Sequence, residues 1–308
     1  PAVPNNAAAA TTATIGRADD GTGEFYRSFI EVLGLSLQRL GTTIGAGHER
    51  SADLIMQAGN IIAPATVLSN MTSTPTIDVR RASDRAHTNI GWLDSKHSFS
   101  FGRHYDPTNT GHGLLLVNND DIVSAGSGFD THPHRDMEIV TWVLSGELEH
   151  KDSERNRGIL YPGLAQRMSA GTGIWHSEMN NSGSDDVHFV QMWVSPDTES
   201  VNPGYEQLDI NAELDKGGLV PIASGKGHDA AISIRQRGAV LWGGRLGAAE
   251  TVTVPDDRHV HVFVPKGSAH LDGAGTLTNG DAVRLTGAGS PSLTAGPEGA
   301  EVLIWATA

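Results

Sequence analysis

"GFDTHPHRDMEIVTWVLSGELEH", residues 128–150, is the stretch on which the fold turns. His132 and His134 stand one residue apart, just ahead of a run that alternates as a β-strand does. Side chains two apart in a strand share a face, so the pair projects together. Pro133 between them suits the beginning of a strand or its edge. Further on, "GTGIWHSEMN" at 171–180 repeats the geometry with His176 and Glu178. If the two segments lie on facing walls of a small barrel, each offers two groups to the interior. Three imidazoles and a carboxylate suit one divalent first-row transition metal, and iron, copper, nickel, manganese, cobalt and zinc all stay open. A lone His-x-His pair is a weak signal; a second pair beside glycines in the same β-type region makes a metal site the stronger reading.

The rest of the chain agrees with a β protein. Its 37 Gly and 14 Pro, with only 6% aromatic residues, favour short strands and turns over a helix bundle. The 308 residues suffice for two domains. Lys and Arg number 22 against 36 acidic residues, and the formal charge of −14 repels a phosphate backbone. Direct nucleic-acid binding is therefore not expected, whereas action through a protein partner stays open. The absence of cysteine excludes disulfides, thiolate metal sites and cysteine nucleophiles, which leaves His and carboxylate as ligands. Apolar runs such as "IIAPATVL" at 61–68 are too short to span a bilayer, and the start lacks the pattern of a secretory leader. A cytoplasmic protein without a membrane partner is the expectation.

Residues 1–70 read as an extension. Low-complexity 1–23 is expected to be disordered, and 24–70 helical in part, with Phe25, Phe29, Leu33, Leu37 and Leu40 at helical spacing. At Met71 the character changes, and "MTSTPTIDVRRASDRAHTN" reads either as the natural start of an ancestral chain or as an internal linker. Beyond residue 112, short β-type runs alternate with Gly, Asn, Asp and Pro. "DTESVNPGYEQ" at 197–207 marks a boundary, giving domains 71–205 and 206–308. The two look like weak repeats, since "VTWVLSGELEH" and "VHVFVPKGSAHL" are both strand–glycine–strand units.

Taken together, "HPHRDMEIVTWVLSGELEHKDS" and "GILYPGLAQRMSAGTGIWHSEMN" resemble the pirin family of the cupin superfamily, nearest to its bacterial quercetin 2,3-dioxygenase-like members. The resemblance covers residues 76–308. Gly126, His132, His134 and Glu138 follow the first cupin motif, with Gly146 one residue late; Gly173, His176 and Asn180 follow the second, with Gly171 in a place usually held by proline. Asp136 and Met137 stand where the family often has Gly and Phe.

The resemblance implies an all-β bicupin, two antiparallel β-barrels (double-stranded β-helices) face to face, preceded by the partly helical, partly disordered extension. It places the metal in the N-terminal cupin domain and none in the C-terminal one. It implies His132, His134, His176 and Glu178 as ligands of a divalent metal, usually iron as Fe(2+). Glu178 is then the preferred catalytic base as well, and Glu138 the alternative: strand parity does not separate the two. The implied activity is cleavage of an aromatic, flavonol-like enol with O2. The alternative is a metal-dependent, redox-sensing regulator acting on a protein partner. His259, His261 and His270 of the second half read as structural or surface groups, and His150 and His188 of the first as hydrogen-bonded strand residues. Trp142, Trp175 and Met192 read as core or pocket wall.

Overall fold

A computed structural model describes residues 74–308. The expectations for residues 1–70, and for a natural start at Met71, lie outside the described residues. Within them the regular structure is nearly all strand, apart from single turns at Ala82–Asp84 and Asn211–Leu214. No helix there is long and apolar enough to cross a membrane.

The first part of the chain runs through β1 (Thr76–Arg80), β2 (Ala86–Asn89), β3 (Leu93–His97), β4 (Leu115–Val123), β5 (Gly128–His134) and β6 (Glu138–Ser145). It continues with β7 (Leu148–Asp152), β8 (Arg157–Leu160), β9 (Leu164–Ser169), β10 (Ile174–Met179), β11 (Val187–Val194) and β12 (Gly204–Asp209). A seven-stranded sheet has the order β12-β9-β6-β11-β4-β3-β2, and a four-stranded sheet the order β5-β10-β7-β8. In the four-stranded sheet only one face is covered, so β10 alternates: Ile174, His176 and Glu178 are buried while Trp175 is 54% exposed. In the seven-stranded sheet β6 and β11 are buried on both faces and read as nearly unbroken apolar runs. Val143, Leu148, Leu160, Leu164, Val187 and Phe189 fill one end of the space between the sheets.

After a single helical turn, Asn211–Leu214, come β13 (Val220–Ser224), β14 (Ile232–Ser233), β15 (Ala239–Leu246), β16 (Thr251–Thr253), β17 (His259–Leu271), β18 (Gly275–Thr278), β19 (Ala282–Thr286) and β20 (Ser292–Thr307). They belong to one nine-stranded sheet, along the path β1-β19-β17-β20-β15-β13-β14, with β16 on β20 and β18 on β17. The long β17 changes register between Phe263 and Lys266 and again between Gly267 and Ala269. Such irregularities bend a strand, so β17 and β20 each serve two walls. Val260, Val262, Val264, Leu271, Leu277 and Leu293 occupy the interior.

A third core joins the two large sheets: Val140, Trp142, Leu144, Val190 and Met192 meet Leu241, Phe263, Leu303 and Trp305. Trp142 and Met192 thus lie in core, as their sequence suggests. Polar clasps accompany this apolar contact, with Trp142 Nε1 donating to Glu301 Oε1 at 2.7 Å and Arg284 Nη2 to the carbonyl of Ser98 at 2.7 Å.

Two strand pairings cross the expected boundary between the halves. A cut at 205/206 falls inside β12, which pairs with β9 of the first half. β1, in turn, pairs with β19 of the second half. An open sheet edge presents unpaired N–H and C=O groups. Here a terminal strand covers an edge strand of each large sheet, and the composition shift at 197–207 does not register those long-range pairings.

Candidate metal centre

β5 and β10 are antiparallel neighbours with His132 opposite His176 and His134 opposite Ile174. The register slips between His176 and Glu178, where β5 carries one extra residue. Close approach at this bulge requires glycine: a Cβ on Gly128 would stand 2.3 Å from the carbonyl oxygen of Glu178. The pairing brings His132, His134 and His176 together, all buried, with one nitrogen of each within 4.8 Å of the others. Their ring centroids are 4.4–4.9 Å apart.

Hydrogen-bond contacts bear on the nitrogen that His132 and His176 present. His132 Nδ1 donates to the carbonyl of Asp130 at 2.7 Å, which leaves Nε2 with its lone pair. His176 Nδ1 faces His150 Nδ1 at 3.5 Å, and His176 Nε2 is buried with no hydrogen-bond partner among the described residues. Burial disfavours the imidazolium, holding His132 at about 4 and His134 and His176 well below the usual histidine value. Neutral imidazole is the form that ligates a metal.

Glu178 is buried on the same face of β10 as His176 and forms a second group with His150 and His176, again within 4.8 Å. Gln191 Nε2 donates to both of its oxygens, at 3.0 and 2.8 Å, and the Thr141 hydroxyl to one at 3.4 Å. Trp193 Nε1 in turn donates to Gln191 Oε1 at 3.1 Å, fixing which end of the amide meets Glu178. Desolvation pushes Glu178 up to about 7, against the lowering effect of Gln191 and Thr141. Converging neutral imidazoles, a carboxylate beside them and an unpartnered buried Nε2 have the chemistry of a divalent-metal site.

The structure does not bring Glu138 to this group. Its carboxylate accepts from the Ser169 hydroxyl at 2.8 Å and from the backbone N–H of Arg235 at 3.1 Å, on the β6 face that carries Val140, Trp142 and Leu144 toward the second half. An even spacing from His134 fails as a guide because the strand is interrupted. Asp136 has φ 47°, its N–H donates to the carbonyl of Gly171, and its Oδ1 accepts from the N–H of Ser200. That turn resets the alternation, so Thr141, not Glu138, is the β6 residue at the carboxylate. Asp136 itself ties loops together and does not reach the histidines. Gly171 has φ 48°, and a Cβ on it would stand 2.1 Å from the carbonyl oxygen of Val201, a position closed to other residues.

Of the other histidines, His188 pairs with Asp120 at 2.6 Å, and His259 stands against His112 with ring centroids 5.3 Å apart. His261 is buried beside Phe99, facing the first half and not the interior of its own. Trp175, expected as core or wall, faces outward instead, because His176 takes the inward place on β10. The sequence reading passed over Gln191, Trp193 and Asp152. A signal was there in "HFVQMWV", where Phe189, Gln191 and Trp193 share one face and a lone amide sits between aromatics.

Comparison with known proteins adds identity to this geometry. A family model described as Pirin matches residues 78–194, and one described as Quercetinase C-terminal cupin domain matches residues 221–305. A protein of Mycobacterium tuberculosis H37Rv, named as a candidate quercetin 2,3-dioxygenase, is 58% identical over 233 residues, 75% of this chain and 95% of that protein. Quercetin 2,3-dioxygenase of Escherichia coli K12 is 40% identical over 204 residues, 66% of this chain and 87% of that protein. The crystal structure of bacterial pirin YhhW from Escherichia coli in complex with nickel(II) matches with a TM-score of 0.69 at 37% identity, over 75% of this chain and 98% of that one.

Proposed function

We propose, from the premise that this chain belongs to the pirin family of cupin proteins, that it is a metal-dependent dioxygenase of the quercetin 2,3-dioxygenase type. Its substrate is a flavonol-like aromatic enol, into which both atoms of O2 are incorporated. The observation that carries the reading is the convergence of three buried, neutral imidazoles beside a buried carboxylate. His132, His134, His176 and Glu178 would hold the metal, and Fe(2+) is the assignment we favour; the nickel(II) complex of YhhW supports a divalent ion at this site. A divalent cation there supplies Lewis acidity, which lowers the cost of an enolate charge.

The chain's own groups supply the rest. Glu178 is the carboxylate beside the imidazoles and can take the enol proton on an Oε. Gln191 and Thr141 hold that carboxylate in place, and Trp193 holds Gln191. Trp193 also stands edge-on to His134, ring centroids 4.8 Å apart, which fixes one wall of the site. Burial of all four proposed ligands keeps bulk water from competing for the enolate.

The test is oxygen consumption by the iron(II)-loaded protein with quercetin, followed together with the loss of flavonol absorption. Equal molar consumption of both is expected, with Glu178→Gln slower by roughly 10²–10⁴-fold. A metal-loaded protein that consumes no oxygen with quercetin or a related flavonol defeats the enzyme reading.

A further inference from the structure

His150 sits one layer behind the candidate centre. On β7 it lies opposite Glu178, and Asp152 lies opposite His176. His150 Nε2 meets Asp152 Oδ2 at 3.2 Å, with side-chain exposures of 1% and 0%. Asp152 is an acceptor in its other side-chain contacts too. Its Oδ1 takes the backbone N–H groups of Glu154 at 3.0 Å and Asn156 at 2.9 Å, and its Oδ2 takes Asn156 Nδ2 at 2.9 Å. A carboxylate oxygen that accepts requires the hydrogen of His150 to be on Nε2. In a neutral ring, Nδ1 then carries the lone pair, and it faces His176 Nδ1 at 3.5 Å. His176 must therefore keep its hydrogen on Nδ1, which leaves the Nε2 lone pair turned toward His132 and His134. Tyr205 packs on the His150 ring, centroids 4.9 Å apart and planes 31° from parallel, which limits rotation of that ring.

We infer that His150, anchored by Asp152, is a positioning residue that sets the tautomer and orientation of His176 and so tunes metal affinity. The inference rests on the metal-centre reading above. A partner behind a metal-ligating histidine fixes its tautomer and raises its basicity, and losing such a partner typically weakens binding by about 10–100-fold.

The test measures nickel(II) affinity of the full chain by competition with a chromophoric chelator, alongside the visible spectrum of the cobalt(II)-loaded protein. His150→Gln keeps both contacts, an amide N–H for Asp152 and an amide oxygen for His176. It is expected to bind nickel(II) within about threefold of wild type, with unchanged cobalt bands. His150→Leu, which removes both contacts, is expected to bind roughly 10–100-fold more weakly with shifted bands. Should that variant fail to fold, Asp152→Asn gives the same reading, because an amide donor facing His150 Nε2 reverses the tautomer. Wild-type affinity and unshifted bands in both His150→Leu and Asp152→Asn overturn the inference. So does a His150→Gln protein as weak as His176→Ala, since His150 would then be a ligand itself. If wild type takes up no nickel(II), or His176→Ala retains it, the metal centre itself falls and the inference with it.

Discussion

In the first half, β10 sets His176 opposite His132 of β5 and Asp152 of β7, and Glu178 opposite His150. In the second half, β20 sets Leu293 opposite Val252 of β16 and Leu271 of β17, and Ala295 opposite Ala269. In both ladders a strand is flanked by two partners, but these positions carry imidazole and carboxylate in the first half and apolar side chains in the second. The apolar filling needs nothing further, because burial itself stabilises it by about 1.5–3 kcal/mol for each large side chain. The polar filling must be satisfied group by group. That need accounts for Gln191 and Thr141 at Glu178, the Asp130 carbonyl at His132 and Asp152 at His150. Chemistry in this fold thus comes from what fills a common scaffold, and its cost is a second layer of partners.

Removing one donor from the polar interior should have the largest effect. His176→Ala is expected to weaken metal binding by about a thousandfold or more, ~4 kcal/mol, read as loss of metal in elemental analysis of the purified protein. Full metal content in that variant would erase the contrast between the halves. Leu293→Ala, at the corresponding place in the apolar half, should instead cost roughly 2–5 kcal/mol of stability in chemical denaturation. Its folded fraction should still take up one metal; loss of metal would mean that the interiors are not separable.

The pH response sharpens the comparison further. With Glu178 raised to about 7, metal must displace a proton below that pH and none above it. Affinity should therefore fall about tenfold for each unit below pH 7, and Glu178→Gln should bind more weakly with a flat profile. Equal slopes for the two proteins would remove Glu178 from the site.

The smallest effect concerns Asp121, buried in the first half with the Ser95 hydroxyl donating to it and raised to about 7 by desolvation, with Asp120 and Glu178 adding repulsion. Its folded value lies above its unfolded one, so its contribution is complete below about pH 4 and lost as the pH rises to 7. Asp121→Asn should flatten that decline by up to ~1.4 kcal/mol per pH unit in urea titrations between pH 4.5 and 7. No change in slope would show that this carboxyl does not govern it.

The two-residue period of a strand made the histidine pairs and Glu178 legible in the sequence, and the cadence of glycine and β-branched residues made the sheets legible. Both signals are local. Parity left Glu138 and Glu178 unseparated because it runs through a turn that Asp136 makes with a positive φ, a conformation Asp tolerates and sequence does not announce. The partnership of His150 with His176 spans two strands and depends on register, which alternation alone does not give. The same holds for the assignment of β1 and β12 to sheets on the far side of the expected boundary.

The placement of β1 also sets a timetable. Thr76–Arg80 leaves the ribosome before every other described strand, yet its partner β19 follows about 200 residues later. The second half's sheet cannot gain its outer strand until β19 itself has been synthesised, and a loop of that span must close to supply it. High contact order of this kind places folding in the millisecond-to-second range or slower. It also leaves β1 without its ladder partner for as long as residues 81–281 are being made.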